Sequence, residues 1–284
     1  MVYESPVNCH LCTKFKNIFN LSATYTRESD FSSLYWTDSG LYWKDENIED
    51  SFHFSSIPND NKRKMAAALI SNCLDRKNDW RLKFIGILKR FIPVNIYGKC
   101  GKPCPSNVVL DCREYIANNY KFFLLFENTH CRDYITEKLF DTIKYNVLPI
   151  VLGGGDYTYY LPKAGYINAL DFRSAQELTN YLIYLNNNHT AYNEYFKWKK
   201  FISYNENHPR MGFLCEMCIQ LHLEDYLGEI KRKSLDLINR RFHIYLNCKQ
   251  ISMDSNTNFY KAYDQFDSFN YTYFMSPENE PITK

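Results

Sequence analysis

At 284 residues the chain is long enough to bury a substantial core, which excludes a small scaffold held together by disulfides alone. Hydrophobic residues make up 45% and charged residues 23%, and 34 basic against 32 acidic side chains leave a net charge of only +2, so neither disorder throughout nor bulk nucleic-acid binding fits. Aromatic residues reach 17%, with 24 Tyr and 20 Phe, a tilt toward amphipathic surfaces that grip sugars and nucleotides.

Residues 1–57 mix Tyr, Trp, Ser and Asp without a clear period and are too short for a complete α/β domain. The polar stretch 58–64 opens on the turn signal Pro58-Asn59-Asp60 and reads as a linker, which places a domain boundary there. Residues 65–70 then read as a strand and 80–91 as a helix with Phe84, Ile87, Leu88 and Phe91 on one face. A strand at 93–97 ends at Gly98, a short helix covers 111–118, and 120–126 is a strongly apolar strand. A helix at 136–145 leads to a buried strand at 147–152, closed by Gly153-Gly154-Gly155. Such alternation implies a parallel sheet with helices on both faces. Ser174 and Glu177 form a capping box ahead of Leu178, Tyr181, Leu182 and Leu185, whose spacing is that of a buried helical stripe, and a second helix is expected over 191–199. Farther on come Cys215-Glu216-Met217-Cys218 and a helix carrying Lys231-Arg232-Lys233 and Arg240-Arg241, basic residues that read as a solvated face. The tail 252–284 is polar and aromatic without period, and 221–284 is taken as a C-terminal helix and irregular tail after a domain at 58–220.

No apolar run is long enough to cross a bilayer, the densest being 122–126, and residues 1–6 lack the basic and apolar regions of a signal peptide. Ten cysteines nevertheless form an even, clustered set, and three N-glycosylation sequons accompany them at Asn20, Asn188 and Asn270. Together these favour an oxidising secretory-pathway lumen.

The most informative stretch runs from the strand 120–126 through Glu127-Asn128-Thr129-His130-Cys131-Arg132 to Asp133-Tyr134-Ile135-Thr136-Glu137-Lys138. In an open parallel sheet, ligands sit beyond the carboxyl ends of the strands, and a helix N-terminus there offers unpaired N–H groups suited to a pyrophosphate. Lys138 adds a full charge, and Glu137 can accept hydrogen bonds from ribose or sugar hydroxyls. Both also read as ordinary first-turn helix residues.

The segment from Phe126-Glu127-Asn128 to Thr136-Glu137-Lys138 resembles the signature of the α1,3/α1,4-fucosyltransferases, the inverting GDP-fucose enzymes of glycosyltransferase family 10. Glu4-Ser5-Pro6, Tyr25-Thr26-Arg27-Glu28-Ser29-Asp30, Ser71-Asn72-Cys73, Tyr97-Gly98-Lys99-Cys100-Gly101, residues 147–153, residues 195–199 and the Cys215–Cys218 pair resemble family motifs in the family's order. The resemblance spans roughly residues 3–220 and is closest to the branch that fucosylates the innermost GlcNAc of N-glycans, on the set Gly98-Lys99-Cys100-Gly101, Cys104, Cys112 and Cys131.

It implies an α/β fold of the GT-B type, two Rossmann-like domains facing a cleft, with the donor on the C-terminal one. Carried over by position, Arg81 and Lys138 would neutralise the GDP phosphates, and Asn128, Tyr134 and Glu137 would contact the nucleotide sugar. Arg76 and Arg90 compete with Arg81 for its role. The base that deprotonates the acceptor would be Glu4, with Glu28 and Asp30 as competing carboxylates. The implied reaction moves L-fucose from GDP-fucose to a GlcNAc hydroxyl of a glycoprotein N-glycan, with no cofactor required and a divalent cation such as Mn²⁺ at most stimulating. The competing readings are another GT-B nucleotide-sugar transferase and an inactive lumenal carbohydrate- or nucleotide-binding protein. Family members begin with a membrane anchor, a stem and the first part of the acceptor-side domain, whereas this chain starts almost at Glu4. The expectation is an N-terminally truncated form of a single-pass type II Golgi protein, with 1–57 the remnant of the first domain. For the cysteines, Cys9-x-x-Cys12 and Cys215-x-x-Cys218 each offer half a zinc-site spacing, but disulfides are favoured, and their connectivity stays open.

Overall fold

The computed structural model describes residues 23–27, 29–31, 34–37, 39–44, 64–73, 79–105, 111–204 and 212–227. Five parallel strands form its centre: β2 (Lys64–Leu69), β3 (Val94–Tyr97), β4 (Tyr120–Phe126), β5 (Leu148–Leu152) and β6 (Ile167–Asn168), in the spatial order β3-β2-β4-β5-β6. Ala66 lies opposite both Val94 and Phe122, Phe122 opposite Leu148, and Ile150 opposite Ile167. The chain begins at the interior strand β2, moves outward to β3, then crosses back past β2 to β4. This doubly wound order puts the reversal of winding between β2 and β4.

Alternation along the strands sorts the core into two layers. Ala66, Ala68, Phe122, Leu124, Phe126, Leu148, Ile150 and Leu152 face one way, against α2 (Trp80–Leu88), α5 (Ala175–Asn187) and α6 (His189–Glu194). Ala67, Phe123, Leu125 and Val151 face the other, against α3 (Cys112–Asn119) and α4 (Glu137–Ile143). Burial on both faces explains why β5 and, past Lys121, β4 are continuous apolar runs instead of alternating ones.

The expected helix and strand starts follow from local chemistry. Asp79, Asp111, Thr136 and Ser174 each accept a backbone N–H from the first turn of α2, α3, α4 and α5. At α5 the Glu177 carboxylate reaches back to the Arg173 N–H, one residue before the cap.

Two sequence expectations shift. α2 stops at Leu88, so Phe91 falls in the following turn and is 42% exposed, while Ile85 takes a buried place on the helix. The helix expected over 191–199 starts earlier, because the Asn188 Oδ1 accepts the Ala191 N–H and caps α6. Beyond Glu194 the chain tightens into a 3₁₀ turn, Lys197–Phe201, where the Trp198 indole donates to the Tyr195 carbonyl.

Short strands that periodicity did not reveal close the edges. β1 (Leu41–Trp43) pairs antiparallel with β7 (Ile202–Tyr204), bringing the segment before β2 against the end of the α/β unit. α1 (Leu34–Thr37) sits beside α4, with Trp36 edge-on to Phe140. The last described helix, α7 (Gly212–Leu227), carries Cys215 and Cys218, both free and exposed. Disulfides join Cys73 to Cys100 and Cys104 to Cys112, and Cys131 is also disulfide-bonded. The first links the segments leaving β2 and β3; the second ties the chain after β3 to the first residue of α3. Among the described residues no cluster of His, Cys, Asp and Glu could hold a metal ion, and no helix is long and apolar enough to cross a membrane. The basic residues 231–233 and 240–241 and the tail 252–284 lie outside the described residues.

Candidate active site

A cleft of about 340 Å³ opens where the winding reverses, beyond the carboxyl ends of β2 and β4. From the end of β2 and the chain leaving it come Leu69, Ile70, Ser71 and Asn72, from β4 Phe123, Leu124 and Leu125 with Asn128 just past it, and from α2 Arg81. Tyr134, Glu137 and Lys138 come from the loop and first turn leading into α4, Arg113 from α3 and Tyr35 from α1. Arg81, Asn128, Tyr134, Glu137 and Lys138, the five donor-side positions carried over from the sequence, therefore line one cavity. Glu4 and Glu28 lie outside the described residues, as does Arg76. Arg90 is exposed past the far end of α2, so of Arg81 and Arg90, the two described candidates for that role, only Arg81 reaches the cleft.

Arg81 and Lys138, two of the cations on the cleft wall, are held in different ways. Arg81 is buried, and the carboxylate that caps its own helix fixes it: Nε donates to Asp79 Oδ1 at 3.1 Å and Nη2 to Asp79 Oδ2 at 2.7 Å. Nη2 also donates to the Asn72 carbonyl at 2.6 Å, tying the helix to the chain leaving β2. A planar guanidinium anchored through a fork keeps its orientation at little further entropic cost.

Lys138 is held by Glu127, the first residue after the buried strand β4. Its Nζ donates to Glu127 Oε2 at 2.9 Å and to the Thr136 hydroxyl at 2.9 Å. Glu127 itself is buried and also accepts the Thr136 N–H at 2.9 Å and the Thr136 hydroxyl at 2.9 Å. Burial disfavours the Lys138 ammonium, but the Glu127 and Glu137 carboxylates outweigh that cost, so its pKa stands above the ordinary lysine value despite the opposing Arg81 charge. Lys138 stays cationic at neutral pH. Glu127 was quoted in the sequence motif without a role. A charged residue directly following the apolar run 122–126 is the signal that could have found it, because a buried carboxylate must have partners.

Glycine and a left-handed turn shape the loop between. Asp133 has φ +60°, a conformation that Asp tolerates better than most residues, and its carboxylate is held by Arg27 at 3.0 Å. Arg27 also reaches Asp156, and Tyr25 packs edge-on to Tyr134 with ring centres 4.8 Å apart. The upstream segment carrying Tyr25, Arg27 and Asp30 thus buttresses the loop that presents Tyr134. After β5, a side chain at Gly154 would place its Cβ 2.5 Å from the Cys131 carbonyl oxygen, so glycine is what lets this loop close on residues 131–135.

Arg113 is a second residue that motif reading missed. It follows the Cys104–Cys112 disulfide directly and stands 3.9 Å from Glu137 and 3.7 Å from Asp141. Glu137 accordingly sits between Arg113 and Lys138, the latter at 3.7 Å.

His130, on the floor of the same loop, lies edge-on to Trp80 at 4.6 Å, and burial lowers its pKa from 6.5 to about 3. It is neutral in the folded protein, whereas the unfolded chain takes up a proton below about pH 6.5. Stability contributed here is complete above that pH and is lost as pH falls toward 3, a loss on the order of a few kcal/mol by linkage. Urea unfolding from pH 7 to pH 4 checks this: His130→Asn should flatten the acid slope, and an unchanged slope places the titrating group elsewhere.

Residues 59–237 match the family model described as "Glycosyltransferase family 10 (fucosyltransferase) C-term". The chain is 37% identical over 221 residues to glycoprotein 3-alpha-L-fucosyltransferase A of Drosophila melanogaster, an alignment covering 75% of this chain and 41% of that protein. It is 30% identical over 225 residues to the 4-galactosyl-N-acetylglucosaminide 3-alpha-L-fucosyltransferase FUT5 of Gorilla gorilla gorilla, covering 78% of this chain and 56% of the relative. The chain thus spans about half the length of the curated relatives it matches. A solved structure of an alpha1,3-fucosyltransferase with GDP-fucose aligns at 26% identity and a TM-score of 0.44, over 56% of this chain and 48% of that one. With the family model covering most of the chain, including every cleft residue from Leu69 to Lys138, this protein belongs to glycosyltransferase family 10, the fucosyltransferases.

Proposed function

We propose that the chain is the donor-binding part of an inverting fucosyltransferase that moves L-fucose from GDP-fucose to a GlcNAc hydroxyl of a glycoprotein N-glycan. The observation that carries this reading is the convergence of Arg81, Asn128, Tyr134, Glu137 and Lys138 on one cleft at the reversal point of the sheet, in a chain of this family. In the complete protein a GT-B arrangement has this α/β unit facing an acceptor-side domain, to which residues 1–57 contribute.

The chemistry required is stabilisation of a departing diphosphate. As the bond to fucose breaks, negative charge grows on the GDP oxygens, and fixed cations in a restricted cleft stabilise it without reorganising. Arg81, locked by Asp79, and Lys138, kept protonated by Glu127, are such cations. Asn128 and Tyr134 offer an amide and a phenol for the nucleotide sugar, and the half-exposed Glu137 a carboxylate for its hydroxyls. Glu4 is assigned as the base that takes the acceptor proton.

In this reading a divalent cation such as Mn²⁺ stimulates at most. The test uses the full-length protein with GDP-fucose and GlcNAc-terminated N-glycan acceptors, following GDP release and mass gain of the acceptor. Turnover that persists in excess EDTA is the expected result; complete loss restored by Mn²⁺ overturns the metal-independent assignment. Tight GDP binding without turnover on any acceptor favours the inactive binding protein. The disulfides at Cys73–Cys100 and Cys104–Cys112 support residence in an oxidising lumen.

A further inference from the structure

We propose that Asn188 is an N-glycosylation site, carrying an oligosaccharide on the edge of the domain opposite the donor cleft. The proposal rests on the lumenal reading, since the oligosaccharide donor is a lipid-linked sugar diphosphate found there. Asn188-His189-Thr190 is a complete sequon, and it sits at the corner where α5 ends and α6 begins, with Asn188 half-buried and His189 and Thr190 exposed. Asn20 and Asn270, the other sequon asparagines, lie outside the described residues.

The two ends of the Asn188 amide have separate duties. Oδ1 accepts the Ala191 N–H at 3.0 Å and caps α6, while Nδ2 donates to the Tyr184 hydroxyl at 3.2 Å on the outer surface. Glycosylation uses only Nδ2. A bond forms from Nδ2 to the anomeric carbon of the first sugar, the bond from that carbon to the lipid diphosphate breaks, one amide proton is released and the lipid diphosphate leaves. The product amide keeps its oxygen for the cap and one N–H for Tyr184. Modification therefore leaves every interaction that Asn188 makes with the fold available. Tyr184 and Ile183 are 50% and 38% exposed beside it, an apolar patch that the first sugar can cover.

Position in the fold keeps the glycan clear of the chemistry. The Lys121 ammonium donates to the Asn186 carbonyl, and the Tyr192 hydroxyl donates to the Lys121 carbonyl, so the corner packs at the start of β4. The cleft lies toward the other end of that strand, where Leu125 and Asn128 line it. From Lys121 to Phe126 the strand itself runs roughly 17 Å.

The experiment isolates the full-length protein from eukaryotic cells and maps its peptides by mass spectrometry, with and without an N-glycan amidase, scoring the Cys73–Cys100 bridge in the same digest. The expected result is an Asn188 peptide that is seen in its unglycosylated mass only after amidase, with conversion of Asn188 to Asp. Thr190→Ala should remove one glycan step in gel mobility without changing GDP affinity or thermal stability beyond the loss of the sugar, because the cap is untouched. Thr190→Ser should restore the step. Recovery of unmodified Asn188 from protein whose Cys73–Cys100 bridge is oxidised overturns the proposal while sparing the lumenal reading. Reduced cysteines together with unmodified Asn188 overturn both.

Discussion

Lys138→Ala is expected to weaken GDP binding by about 2 to 5 kcal/mol, a factor of roughly 30 to 5,000, as truncating one partner of a buried charge pair generally does. Two effects add. The diphosphate loses a cation, and the Glu127 carboxylate, buried behind it and 2.9 Å from the lost ammonium, is left with uncompensated charge close to the ligand. Combining Lys138→Ala with Glu127→Gln separates them, since the double variant removes the stranded charge but does not restore the cation. Affinity in the double variant should recover only in part. Lys144→Ala is the matched control: Lys144 caps the far end of the same helix and lies over the Tyr145 and Tyr204 rings, away from the cleft. Calorimetric titration with GDP reads all four proteins, and equal losses for Lys138→Ala and Lys144→Ala would remove the special role of Lys138.

Glu4→Gln should lower turnover by roughly 10² to 10⁴-fold while leaving GDP affinity nearly unchanged. Glutamine keeps the size and much of the hydrogen bonding of glutamate but cannot accept the acceptor proton. That proton moves in the transition state, and donor binding precedes it, so the two measurements part company. Glu4 lies outside the described residues, and the assignment rests on the Glu4-Ser5-Pro6 match. The experiment belongs in the full-length protein, with kcat from acceptor fucosylation and Kd from GDP titration. Near-normal turnover would transfer the role to Glu28 or Asp30. Asp30 belongs to the segment in which Tyr25 and Arg27 brace Tyr134 and Asp133, so that transfer has a structural route. A parallel fall in GDP affinity would instead point to a damaged fold.

The elements of the α/β unit were legible in the sequence wherever local chemistry alone decides. Residues 120–126 form β4 to the residue, because all seven side chains are buried and the apolar run 122–126 leaves only Lys121, near the start, to find a polar partner, which it does at the Asn186 carbonyl. The starts of α2, α3, α4 and α5 follow the side chains of Asp79, Asp111, Thr136 and Ser174, each acting within its own turn. The motif from Glu127 to Lys138 supplied four of the carried-over positions that line the cleft, Asn128, Tyr134, Glu137 and Lys138, for a similar reason, being nearly contiguous along the chain. Boundaries shifted where apolar periodicity ran past a local cap, as at Phe91, which lies beyond the Lys89 C-cap of α2, and at α6, which Asn188 starts early.

Strand order was not legible, because periodicity records which faces of a strand are buried and not which strand lies beside it. Only the pairing of β2 with both β3 and β4 sets the reversal point, and with it the meeting of Asn72 and Arg81 with Asn128 and Lys138 across more than forty residues of chain. The same holds for the cysteines, whose spacing admits many connectivities until folding brings Cys73 to Cys100 and Cys104 to Cys112. Glu127 and Arg113 acquired their roles in the same way. A charge is a feature of the sequence, but the partner that holds it in a cleft is a feature of the packing, since coulombic and hydrogen-bond energies depend on distances that only the tertiary structure fixes.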